Sequence, residues 1–176
     1  MSQLIAAAQA GDIAQLTALL AQGLTANDRG ENGTTALSVA AEAGHLAVVR
    51  LLIDRGAGVN ATDADGWTAL MGAAAAGHSR IVCYLLDCGA NIDATTNFGL
   101  SVLMSAAAQG QVEVVQILLE QGADLNAHDQ NKWTALIWAA EGGHAEVVKL
   151  LKAARGRGEE GEGKEGGTGG LLVTLL

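Results

Sequence analysis

The chain repeats itself. Gly33-Thr34-Thr35-Ala36-Leu37 recurs as Gly66-Trp67-Thr68-Ala69-Leu70, Gly99-Leu100-Ser101-Val102-Leu103 and Lys132-Trp133-Thr134-Ala135-Leu136, each time 33 residues further on. A glycine landmark at Gly44, Gly77, Gly110 and Gly143 extends back to Gly11, so the first 32 residues read as a degenerate copy of the same unit. A fixed period of this length points to a solenoid, because a unit this small cannot bury its apolar faces alone and must use its neighbour as the other half of a core.

Within one unit, Leu37, Ala40 and Ala41 share one helical face, and Thr35 stands at the N-cap position. That first short helix ends at Gly44. Val48, Val49, Leu51, Leu52 and Ile53 predict a second helix, which Gly56 stops by supplying a left-handed residue. Residues 57–63 are turn formers leading to Gly66, so the link reads as an extended turn or hairpin. The expected fold is therefore all-α: a helix-pair solenoid with short β-turn or hairpin loops and about five stacked units. Its divisions are a capping repeat at 1–32, repeats at 33–65, 66–98 and 99–131, a truncated repeat at 132–154 and a Gly/Glu-rich flexible tail at 155–176. Leu19, Leu52, Leu85, Leu118 and Leu151 should form the continuous core, with Ala8, Ala41, Ala74, Ala107 and Ala140 letting first helices approach closely.

These landmarks resemble the ankyrin repeat family, whose unit is a β-turn and two antiparallel helices with T-P-L-H-x-A-A, G-H-x-x-V-V and L-L-x-x-G-A-x-x-N-A signatures. The third stands here as Leu118-Leu119-Glu120-Gln121-Gly122-Ala123-Asp124-Leu125-Asn126-Ala127, and the resemblance covers about residues 1–154. The family proline is replaced by Ala36, Ala69, Val102 and Ala135, and the following histidine by Ser38, Met71, Met104 and Ile137. Proline there presets a helix start without being indispensable.

The ends depart from the middle. Residues 2–23 lack the G-x-T-A-L opening and carry Gln3, Gln9 and Gln15, as a solvent-facing cap would. The last unit shows no such polar conversion: Trp138, Val147, Val148 and Leu151 stay apolar, so its outer side is expected to be incompletely covered and to allow weak self-association of an otherwise monomeric protein. From Arg155 to Gly170, eight of sixteen residues are glycine, which reads as a flexible linker. The apolar hexamer Leu171 to Leu176 has three open roles: folding back on the last unit, engaging a partner, or an accidental chain end.

Composition removes several functions. A net charge of −9 repels a phosphate backbone, so nucleic acid is not an expected partner. No apolar run approaches the roughly 18 residues of a membrane span. No lysine or arginine precedes Arg29, so a secretory leader is unsupported and the expected location is cytoplasmic. Cys83 and Cys88, five apart on one helix, form neither a disulfide framework nor a metal pair and read as partly exposed free thiols.

Catalytic and metal signals fail on geometry. His45, His78 and His144 occupy one repeat position, so stacking places them about 8–10 Å apart, too far to share an ion that needs nitrogens about 2 Å away. The resemblance implies instead that each imidazole closes its inter-helix turn on backbone. Gly158 to Lys164 matches a phosphate-loop pattern until Glu165 replaces the required hydroxyl, and no strand precedes it. With no metal site, no cofactor and no paired catalytic groups, the chain is expected not to be an enzyme.

The resemblance implies that a partner binds where the repeat stops repeating, at the hairpin tips and the exposed side of the first helices. Those positions are Asn32, Thr34, Glu42, Asp65, Trp67, Asn97, Phe98, Leu100, Gln109, Asn131, Trp133 and Glu141, together with Ala64, Ala75 and Gln130. Three of the chain's five aromatic residues lie among them. Trp67, Leu100 and Trp133 share one register and predict an apolar stripe rimmed by acids, unless each packs on its own hairpin. The expected function is non-catalytic binding of a protein partner on this concave face. The alternative is a regulatory or targeting segment of a longer enzyme or channel.

Overall fold

A computed structural model describes residues 2–162, with side chains through Gly156. The tail residues 163–176, including the Leu171 to Leu176 hexamer, lie outside the described residues. The helices are α1 (Gln3–Ala10), α2 (Ile13–Ala21), α3 (Ala36–Glu42), α4 (Leu46–Asp54), α5 (Ala69–Ala76), α6 (Ser79–Asp87), α7 (Val102–Ala108), α8 (Val112–Glu120), α9 (Ala135–Glu141) and α10 (Ala145–Glu162). They pair as α1/α2, α3/α4, α5/α6, α7/α8 and α9/α10, and the first helices form one row in which α3 packs on α5, α5 on α7 and α7 on α9. This is the expected all-α helix-pair solenoid.

Caps set the starts of the first helices. Thr35 accepts a hydrogen bond from the Ser38 amide, and the Ser38 hydroxyl returns to the Thr35 backbone, so two orphan groups are satisfied reciprocally. Thr68 and Ser101 accept from the Met71 and Met104 amides in the same way. Thr134, opening α9, makes no such bond. The loops fold back as minimal hairpins, with bridges between Arg29 and Thr35, Thr62 and Thr68, and Thr95 and Ser101.

Stacking is carried by a ladder of leucines. Leu52, Leu85 and Leu118 are fully buried, and Leu19 and Leu151 nearly so. Ala8, Ala41, Ala74 and Ala107 are fully buried where neighbouring first helices meet. Ala140 is exposed, a correction to the expectation that it completes this row: among the described residues no helix covers its outer side. Val49, Val82 and Val115 are sealed at 0%, whereas Val148 in the same register is only half-buried. The open end is real, but it falls on Ile137, Ala140 and Val148. Val147 and Leu151, expected to be bare, are buried because they face inward to the preceding unit and to α9, and Trp138 is half-buried.

The linker expectation also changes at its start. Helix α10 does not stop at Ala154 but runs on to Glu162. Gly56, Gly89 and Gly122, at φ of 83°, 87° and 85°, end the equivalent helices in the left-handed region. Arg155 occupies that register in the last unit, behind Ala153 and Ala154, so the stop signal is absent and the helix continues.

Polar side chains bind each unit to the next. His45 and His78 bring Nε2 to 3.0 and 2.9 Å from the carbonyls of Gln9 and Glu42, and His144 to 3.0 Å from that of Ala108. The imidazoles are on backbone, as the resemblance implies, but on the preceding unit rather than their own turn. Asn27 clasps Gly56 O and the Gly58 amide, and Asn60 clasps Gly89 O and the Asn91 amide. Along the hairpins, the amides of Ala64, Asn97 and Gln130 donate to the carbonyls of Asn32, Asp65 and Phe98. The face formed by the hairpins and first helices therefore rests on a backbone joined unit to unit.

Candidate concave interaction surface

The hairpin loops aim their tips through one recurring device. Asp63 Oδ1 accepts from the amides of Asp65 and Trp67, and Asp129 Oδ1 accepts from those of Asn131 and Trp133. Thr96 Oγ1 serves the Phe98 and Leu100 amides in the unit between them. These short side chains satisfy loop amides that have no ladder partner and hold the tips in one orientation.

Two grooves lie on this face. The first, about 570 Å³, sits between the 33–65 and 66–98 units and brings together Thr34, Glu42, Asp65, Trp67, Ala75 and Gln109. Its floor exists because Gly72 and Ala76 present almost no side chain. Three carboxylates border it, from Glu42, Asp63 and Asp65, and no lysine or arginine does. Arg29, on the adjoining hairpin, donates from Nη1 to the carbonyls of Gly33 and Thr62, at 3.2 and 2.6 Å.

The second groove, about 270 Å³, is walled by Trp67, Phe98, Leu100 and Trp138, with Gln130 and Asn131 at its rim. Phe98 is 64% exposed, the most exposed large apolar side chain among the described residues. Trp67 borders both grooves and so joins them.

Five of the anticipated positions, Ala64 among them, line neither groove. Asn97 donates through Nδ2 to Ala64 O at 2.9 Å, so its side chain ties hairpin to hairpin. Asn32 holds a left-handed backbone at φ 60° and offers its carbonyl to Ala64. Glu141 is exposed beyond both hollows. Trp133 packs edge-on against Trp138 of helix α9, with ring centroids 5.1 Å apart. The stripe of Trp67, Leu100 and Trp133 is thus half-buried throughout rather than standing free.

Sequence reasoning missed Trp138, Gly72 and Asp63. The register running through Val39, Gly72, Ser105 and Trp138 was the available signal, since it varies from no side chain to the largest one on a helix that is otherwise regular. Where it is glycine the first groove opens. Where it is tryptophan the second gains a wall. The Trp138 indole nitrogen is buried without a hydrogen-bond partner.

Between the second helices α4 and α6, Arg50 lies over the Tyr84 ring at 4.9 Å, a cation–π contact. The hydrogen bond with the Cys88 side chain holds the Tyr84 phenol above its ordinary value of 10, and partial desolvation adds to this. Cys83 and Cys88 are both free thiols. Among the described residues no cluster of three metal-capable side chains occurs, and no helix is long and apolar enough to cross a membrane.

Comparison with known proteins agrees with this architecture. A family model described as ankyrin repeats (3 copies) matches residues 4–96 and 88–159. No curated relative matches the chain. With nearly the whole helical array inside the matched segments, the chain belongs to the ankyrin repeat family.

Proposed function

We propose that the chain is a non-catalytic binding module that docks a protein partner on the concave face formed by the hairpins and first helices. Ankyrin repeats are generally protein–protein interaction modules and typically non-catalytic. The single observation that carries the choice of face is the pair of joined grooves sharing Trp67, beside a Phe98 that is 64% exposed. Large aromatic anchors in hollows supply most of the binding energy at protein interfaces, and a rigid surface avoids the entropy cost of ordering loops.

The test is affinity capture from the native source with matched variants. Trp67→Ala and Gly72→Val, the second placing in the groove the residue that Val39 already supplies one unit earlier, should each reduce recovered partner at least tenfold. Arg80→Ala, on the exposed side of α6, should leave it unchanged. Capture lost with Arg80→Ala and retained with both groove variants would move the interface to the convex face.

A further inference from the structure

We infer that the ligand of the concave face is an extended segment of a partner protein carrying an arginine and a large apolar residue three positions apart. The inference rests on the protein-binding reading above and specifies its ligand. The first groove pairs an aromatic wall, Trp67, with the carboxylates of Glu42, Asp63 and Asp65, and no cationic side chain borders it. A hollow of one charge sign with an indole wall is complementary to a planar cation, which stacks on the ring while its N–H fork meets carboxylate oxygens. Guanidinium fits this better than ammonium, because it is flat, more weakly hydrated and donates in two parallel directions.

The second groove asks for something different. Its walls are Trp67, Phe98, Leu100 and Trp138, and the carboxylate that lines it, Asp129, is 5% exposed with Oδ1 held by the Asn131 and Trp133 amides, so an aliphatic or aromatic side chain is its natural filling. The grooves meet at Trp67, and side chains seated against its two sides are taken to have an offset of one stacking step, about 8–10 Å between neighbouring helices. An extended chain advances about 3.3 Å per residue, so three residues cover the offset. Trp67 then touches both side chains of the ligand.

Capped heptapeptides on a Gly/Ser background, with arginine and leucine three positions apart in either order, test this. They are titrated into the uniformly 15N-labelled full chain, and the three tryptophan indole N–H signals are followed, with Trp67→Phe and Trp138→Phe assigning two of them. Saturable movement of the Trp67 and Trp138 signals is expected for one of the two orders. Citrulline for arginine, or alanine for leucine, should raise the apparent Kd at least fivefold, as should placing the two residues adjacent. Glu42→Gln and Asp65→Asn should each weaken the arginine peptide and leave the citrulline peptide unchanged. Equal binding of arginine and citrulline peptides, no saturable shift with either order, or movement of the Trp133 signal alone would overturn the assignment. If that happens while Trp67→Ala still abolishes partner capture, the protein-binding reading survives and only this ligand falls. If capture is indifferent to Trp67, both fall.

Discussion

At the scale of single residues, the register of His45, His78 and His144 shows what one sequence can and cannot disclose. That the imidazoles bond to backbone followed from the resemblance. That they reach back 36 residues, onto the previous unit, depends on how units stack and is invisible in any single copy. Gln111, the fourth member of this register, donates through Nε2 to Ala75 O at 2.9 Å and so takes the same role with a different group. Gln111→His should therefore be nearly neutral, whereas Gln111→Ala should cost about 1 kcal/mol in denaturant melts for the lost bond. The glycines facing these side chains are constrained twice. Gly44 has φ of 82°, and a Cβ there would lie 2.7 Å from the His78 ring. Gly44→Ala should cost at least about 1–3 kcal/mol, the strain of a left-handed backbone to which the contact with His78 adds, and a variant as stable as the parent would contradict both constraints. The thiols separate by exposure: Cys83 is open and Cys88 partly covered, so a thiol reagent on native protein should modify Cys83 first, read by peptide mass mapping. A Cys83 to Cys88 disulfide in native protein would contradict the helix that carries Cys83.

At the scale of elements, helix positions were legible because their signals are local: a hydroxyl cap, an apolar face and a terminating glycine within nine or so residues. The extent of α10 was not, although its cause is also local. Weighing the glycine content of 155–170 as a whole obscured the one substitution that matters, Arg155 in the register of Gly56, Gly89 and Gly122. Arg155→Gly should restore the left-handed stop and lower the far-ultraviolet helical signal without loosening Leu151, which sits a turn earlier. Unchanged helicity would mean that other residues govern where α10 ends. The grooves were legible only in part, because variability within a repeat marks every position freed from packing. It does not separate Asn97, freed in order to clamp the adjacent hairpin, from Trp67, which is open to a ligand. That distinction needs the neighbour's carbonyl, which is a three-dimensional fact.

At the scale of the whole molecule, stability in a stacked array is a sum of unit and interface contributions, so its distribution follows how well each face is covered. Leu85 is fully buried in the middle unit, with a neighbour on either side, and Leu85→Ala should cost about 2–5 kcal/mol. The 132–162 end is different. Ile137 is 38% exposed, Ala140 is open, Val148 is half-buried where its counterparts are sealed, and Thr134 lacks the cap bond made by Thr35, Thr68 and Ser101. Each deficit removes stabilisation from the same helix pair, and nearest-neighbour coupling passes only part of the loss inward. Amides of α9 should therefore exchange with solvent deuterium through openings well below the global unfolding free energy, while those of α5 and α7 approach it. The same exposed surface should promote association through the open end, and Ile137→Lys should suppress any concentration dependence of light scattering while changing stability by less than about 0.5 kcal/mol. Protection in α9 equal to that in α5, with scattering insensitive to Ile137→Lys, would show that the outer face of this unit is covered in solution, and the ordering of stability along the array would have to be drawn from its other end.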